Sequence, residues 1–212
     1  MAREMVTPMT AVDFLFDFGS PNSYLAHKVL PTITARAGAT FNYVPVLLGG
    51  IFKLTGNQSP MTAFANIKNK MDYEMLEMRR FIEKHQIAFE MNPHFPVNTL
   101  FVMRGAVAAQ VLGVLQDYVD AVMDAMWKAP KKMDDPEIVA GALASAGLNA
   151  EEILGKAQEL AIKAKLIANT EEAVTRGAFG APTFFIGEKM WFGKDRLADL
   201  EEALGRDVRR GC

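Results

Sequence analysis

Cysteine is almost missing from this chain: of 212 residues one is a cysteine, and it is the last, Cys212. A lone thiol excludes an intramolecular disulfide and any multi-cysteine metal site. It suits a reducing compartment, so a cytoplasmic protein is expected. At a chain end Cys212 lacks the fixed surroundings that activate a thiol, and it reads as inert. Histidine is nearly as scarce. His27, His85 and His94 fall in unrelated segments without ligand spacing, which argues against a metal site and against a Ser-His-Asp triad. No apolar run approaches the ~20 residues of a membrane span, and the first residues lack the apolar core of a signal peptide. Excess positive charge is absent too. The formal net charge is -2, and the basic residues, among them Lys131-Lys132 and Arg206, Arg209 and Arg210, make no strongly positive field, so nucleic acid is not an expected partner.

What is present describes a globular protein, with 50% apolar and 23% charged residues. Val12 to Phe18 reads as a buried strand, interrupted by Asp13 and Asp17 and stopped by Gly19. Pro21 stands at a first helical position, and Leu25, Val29 and Ile33 share one face; Pro31 predicts a kink or an early break. Thr40 to Leu48 is a second strand, giving a β-α-β unit. Beyond Gly49-Gly50 the periodicity is helical. Ala63 to Gln86 spaces Ile67, Met71, Met75, Met78 and Ile82 along one face, the methionines making a pliable core, an interface or an adaptable pocket. Asn92 to Pro96 is a loop. Thr99 to Trp127 reads as two helices parted near Gly113, Asp134-Asp135-Pro136 and Asn149 open two more, and Ala157 to Arg176 is a long one ending before Gly177. Thr183 to Ile186 and Lys189 to Phe192 form a hairpin around Gly187-Glu188, and Asp195 is placed to cap a last helix carrying Leu197, Leu200 and Leu204.

Three places in this order carry candidate chemistry. Ser20 lies at the strand-to-helix junction, where a hydroxyl meets unpaired amides and the positive end of a helix dipole; Ser-Pro at a helix start is also an ordinary cap. Ser23 reads as a polar residue of the first turn. Gly180-Ala181-Pro182-Thr183 leads into a strand, and a cis bond before Pro182 would aim Ala181 backbone groups at an extended peptide, much as an added strand pairs with an edge. The turn Phe192-Gly193-Lys194-Asp195 offers N–H groups and a carboxylate to an amino-acid terminus, or simply caps a helix. Gly177 and Gly180 are too close for a nucleotide fingerprint and precede a strand.

The stretches DFGSPNSYLA, PVLLGGIFKLTGN and FGAPTFFIGEKMWFGKDRL, in this order around an all-helical middle, are together specific. The chain resembles the 2-hydroxychromene-2-carboxylate isomerase family, related to kappa-class glutathione transferases and to thioredoxin-like disulfide oxidoreductases. Where those oxidoreductases carry Cys-Pro-x-Cys, this chain has serine at both cysteine positions, Ser20 and Ser23. The resemblance implies an α/β fold, a thioredoxin-like domain from residues 1–50 and 177–212 with an all-helical domain inserted at 51–176.

It also implies glutathione as cofactor. Ser20 matches the serine that meets the glutathione sulfur and is the catalytic candidate; Ala181 matches the residue whose backbone meets the cysteinyl part; Phe192, Gly193, Lys194 and Asp195 match the turn around the γ-glutamyl end. Lys53, Asn57, Asn66 and Phe95 match the substrate side. Without the resemblance Lys53 reads as a solvated lysine and Asn57 as a loop residue. The implied reaction is reversible thiol addition to a conjugated carbon, interconverting 2-hydroxychromene-2-carboxylate and trans-o-hydroxybenzylidenepyruvate in aromatic catabolism, with a small aromatic carboxylate as substrate and a homodimer as the assembly. A kappa-like transferase that conjugates electrophiles and a non-catalytic glutathione- or peptide-binding module share the same motifs.

Overall fold

The computed structural model describes the backbone of residues 10–210 and the side chains of residues 10–205, so Cys212 and the arginines of the tail lie outside the described side chains. A four-stranded sheet is built from the two ends of the chain, in the order β2-β1-β3-β4. The central strand β1 (Ala11–Phe16) pairs in parallel with β2 (Thr40–Pro45) and antiparallel with β3 (Thr183–Ile186), which forms a hairpin with β4 (Lys189–Phe192). A strand covered on both faces needs apolar residues at both parities. Phe14 and Phe16 accordingly enter the main core, while Leu15 joins a smaller one with Val46, Ile51 and Phe185.

Helix α1 (Pro21–Ala37) follows β1 and buries Tyr24, Leu25, Val29, Leu30 and Ile33. It runs through Pro31 without ending, so of the kink or early break expected there the early break does not occur. Pro31 sits on the exposed side, and the buried residues on either side of it hold the helix until Gly38 closes it at φ 63. Strand β1 stops at Phe16, two residues early, because Phe18 leaves the sheet and its carbonyl accepts a hydrogen bond from Trp127 Nε1 at 2.8 Å. Strand β2 stops at Pro45 rather than Leu48, because the chain turns there into α2 (Leu48–Thr55), a helix that the Gly49-Gly50 pair conceals in the sequence.

The helix expected over 63–86 is two. A one-turn α3 (Pro60–Ala63) is capped by Ser59, and α4 (Lys70–His85) begins after Asn69, whose φ of 68 resets the chain direction. Ile67, in the right phase by spacing, falls between them and is exposed. The next helices match their signals: α5 (Leu100–Val111) and α6 (Leu115–Trp127) part at Gly113, α7 (Pro136–Ser145) is capped by Asp135, and α8 (Ala150–Lys156) by Asn149. Helix α9 (Leu160–Thr175) starts three residues later than expected, since Ala157 ends α8. A 3₁₀ turn, Lys194–Arg196, precedes α10 (Leu197–Arg210), with Gly193 before it at φ 89; Asp195 lies inside that turn and is not the cap predicted for it. No described helix is long and apolar enough to cross a membrane.

Candidate active site

The β1–α1 turn brings Ser20 to the mouth of α1, where its side chain is 5% exposed. Ser20 Oγ accepts the Ser23 amide at 3.2 Å, as an N-cap does, and donates to the Ala181 carbonyl at 2.9 Å across 161 residues of sequence. Pro21 has no N–H, so the Asn22 amide is the first-turn donor that no described residue takes. Asn22 Oδ1 and Ser23 Oγ are buried without a hydrogen-bond partner among the described residues. Ser23 thus adds no contact to the scaffold beyond its place in the first turn.

The Ala181-Pro182 bond is cis, as the sequence suggested, and so is Phe95-Pro96. Around Ala181 the carbonyls are engaged: Gly180 O accepts from Thr183 Oγ1 at 2.8 Å, Ala181 O from Ser20, and Pro182 O from the Gly193 amide at 2.9 Å. The Ala181 amide takes no described partner. Gly193 thereby ties the last turn to the cis-proline segment. Phe192 packs against Phe179 with 4.4 Å between the centroids of the tilted rings and lies so close over Gly180 that a Cβ there would stand 2.8 Å from the ring. Asn57, just past α2, donates to Phe179 O at 2.7 Å.

Ser20, Ala181, Asn57, Phe192 and Gly193 therefore form one connected surface. Lys194 and Asp195 adjoin it in an unforeseen way. The Lys194 side chain is 5% exposed, its Nζ 2.7 Å from Asp195 Oδ1 and 5.2 Å from the centre of the Phe81 ring of α4, so it is held inward while Asp195 faces solvent. Lys53, in the last turn of α2, is exposed and has no ion-pair partner among the described residues. Asn66 is exposed in the turn between α3 and α4 and touches none of the other candidates through a hydrogen bond. Phe95 is half-buried against Trp127 with 5.8 Å between ring centroids, and Trp127 in turn donates to the Phe18 carbonyl before the Ser20 turn.

The residue that the sequence reading passed over is Asp17, which it took only as an interruption of a strand. It is 1% exposed. Its Oδ1 accepts from the Gly19 amide at 2.8 Å, its Oδ2 from the Leu48 amide at 2.7 Å, and Thr99 adds a side-chain hydrogen bond. Burial raises its pKa above the ordinary 3.8, against the pull of those three donors. A carboxylate inside an apolar run, next to a glycine turn, was the available signal.

The DSBA-like thioredoxin domain matches residues 11–205. The 2-hydroxychromene-2-carboxylate isomerase of Pseudomonas putida is 32% identical over 207 residues, spanning 95% of this chain and 97% of that protein. The chain belongs to this isomerase family, within the DSBA-like thioredoxin fold. Glutathione S-transferase kappa 1 of Caenorhabditis elegans is 30% identical over 89% of each chain. A solved 2-hydroxychromene-2-carboxylate isomerase superposes with a TM-score of 0.82 at 29% identity, covering 95% of this chain and 97% of its own. A probable DsbA oxidoreductase from Streptomyces coelicolor, with a TM-score of 0.68 at 18% identity over 95% of this chain and 89% of its own, shares the fold alone.

Proposed function

We propose that the protein is a glutathione-dependent isomerase that interconverts 2-hydroxychromene-2-carboxylate and trans-o-hydroxybenzylidenepyruvate. The observation that carries this reading is the Ser20 hydroxyl, held at a helix N-terminus and aimed across at Ala181, where a redox relative would hold a thiol. The donor set suits a thiol peptide. Among the described residues the amides of Asn22 and Ala181 are unclaimed and the buried Asn22 Oδ1 lacks a donor, and the exposed Asp195 carboxylate would suit an ammonium group.

Bound glutathione would supply a thiolate that adds reversibly to a conjugated carbon of the substrate, turning a double bond into a single bond that rotates. The chain supplies the surroundings. Ser20 would exchange its Ala181 acceptor for the sulfur, donating a hydrogen bond without any means of forming a mixed disulfide. Ala181 would pair its backbone with the cysteinyl residue, and Phe192, Gly193 and Asp195 would receive the γ-glutamyl end. Lys194 would act indirectly, since its ammonium is committed to Asp195 and Phe81. Lys53, an unpaired ammonium on α2, would answer the substrate carboxylate, with Asn57, Asn66 and Phe95 on the same side. A cytoplasmic homodimer belongs to the reading: the chain has one cysteine, and Leu54, Met61, Ile67 and Tyr73 expose apolar surface on the helical segment.

The test is loss of chromene absorbance with and without glutathione. Turnover that requires glutathione is expected; turnover without it, or glutathione binding without turnover, contradicts the reading. The 30% identity to a kappa transferase favours one rival, conjugation of a simple electrophile. Conjugation without isomerisation would establish that rival instead.

A further inference from the structure

Helix α2 is poorly equipped to hold its own position. Eight residues are too few for a stable isolated helix, a single residue, Ile51, is buried, and Leu47 at the cap position has no side-chain oxygen to offer. The first two amides are capped from elsewhere in the chain. Leu47 N–H donates to Thr170 Oγ1 of α9 at 2.9 Å, and Leu48 N–H donates to Asp17 Oδ2 at 2.7 Å. The other oxygen of the same carboxylate holds the Gly19 amide, one residue before Ser20. Thr99, whose hydroxyl does not cap its own helix α5, completes the set. The groups facing Asp17 from the β1–α1 turn, α2 and α5 are thus two amides and a hydroxyl. No cation pairs with it among the described residues.

We propose that Asp17 is a positioning residue, whose one carboxylate caps α2 and fixes the Ser20 turn, so that Lys53 and Asn57 are held in register with Ser20. The geometry makes this a division by oxygen atom: Oδ1 for the thiol side of the site, Oδ2 for the substrate side. An ionised carboxylate at the N-terminus of a helix also interacts favourably with its dipole, which compensates part of the cost of burial. An amide in its place cannot accept from both backbone N–H groups, because one of its two heavy atoms is itself a donor. The inference rests on the functional reading for the roles of Lys53 and Ser20, but not for the placement of α2.

The experiment is Asp17→Asn, followed by amide hydrogen exchange and by steady-state kinetics. Exchange in Leu48–Thr55 should quicken roughly tenfold or more, while α5 and α6 keep their protection. The KM for the aromatic substrate should rise about tenfold, with the glutathione Kd altered less than about threefold, since a displaced α2 spoils substrate alignment before thiol binding. Unchanged exchange in α2, or quickening spread evenly over the chain with both constants moving together, would overturn the proposal. Should the wild type neither bind glutathione nor isomerise, the exchange result alone decides the positioning claim, and the functional reading fails separately. If the Asn variant does not fold, Thr99→Val, which leaves both amide contacts in place, should shift α2 exchange and substrate KM in the same direction by a smaller factor; no shift would overturn the proposal.

Discussion

Ser20 serves two demands with one oxygen. As acceptor it caps α1, and as donor it reaches Ala181 O, so the folded protein already points its proton toward the place proposed for sulfur. Ser20→Ala removes both. The capping loss should cost about 1 kcal/mol of stability, within the usual range for a serine cap. The loss of a donor aimed at developing or resident negative charge should cut kcat by about 100-fold or more. Thermal melting and kinetics on the same preparation check the split. Equal, small losses in both would return Ser20 to the role of a cap. Much at this scale was legible in the sequence: serine before proline at a strand end, and glycine-alanine-proline before a second strand. Asp17, Thr99 and the inward turn of Lys194 were not, because each acts through a contact distant in sequence.

Among the elements, α5 and α6 pack unusually closely where Gly105 meets Tyr118. A Cβ on Gly105 would stand 2.1 Å from Tyr118 Oη, and that ring is fully buried with its hydroxyl donating to Val102 O at 2.9 Å. Gly105→Ala should therefore destabilise by about 3 kcal/mol or more despite the better helix propensity of alanine, because the ring has no free space to enter. Denaturant unfolding gives the figure, and a stabilised variant would contradict this close packing of Gly105 against Tyr118. The same scale shows where sequence patterns mislead. Ile67 kept helical phase yet lies outside any helix, since a chain reversal at Asn69 is a backbone event that side-chain periodicity does not record. Of the kink or early break that Pro31 predicts, burial on both sides of it overrides the break. Helix α2 was hidden because its caps, Asp17 and Thr170, come from other elements.

Taken whole, the molecule joins a sheet made of its two ends to a set of helices by buried aromatic contacts and by polar ties at the α1–α6 boundary. Phe18 provides the first kind, its ring 6.0 Å from that of Tyr118 between centroids, and its carbonyl accepts the Trp127 indole N–H. The second kind comprises His27 Nε2 with Asp120 at 2.8 Å and Lys28 with Asp124 at 2.7 Å, while His27 Nδ1 also meets the Tyr43 hydroxyl of β2 at 2.7 Å. Burial opposes ionisation of both carboxylates, but His27 at one and Lys28 with Lys128 at the other outweigh it, and both pKa values lie below 3.8. A depressed carboxylate pKa contributes stability that is present above the unfolded value and lost as pH falls through the folded one. Stability should thus decline below about pH 4, and each partly exposed pair should account for no more than about 1 kcal/mol. Lys28→Met should shrink that decline, as read by chemical unfolding at a series of pH values; an unchanged acid limb would contradict the tie. The order of strands and helices was open to the sequence, whereas these ties join positions about a hundred residues apart.

In the proposed reaction a serine at the helix mouth works on a sulfur brought by a ligand. A crystal structure of the protein with glutathione tests it most directly. The glutathione sulfur should lie within hydrogen-bond distance of Ser20 Oγ, the cysteinyl backbone should pair with Ala181, and the γ-glutamyl end should sit at the Phe192 to Asp195 turn. A glutathione molecule bound elsewhere, or one whose sulfur points away while Ser20 keeps its bond to Ala181 O, would contradict it.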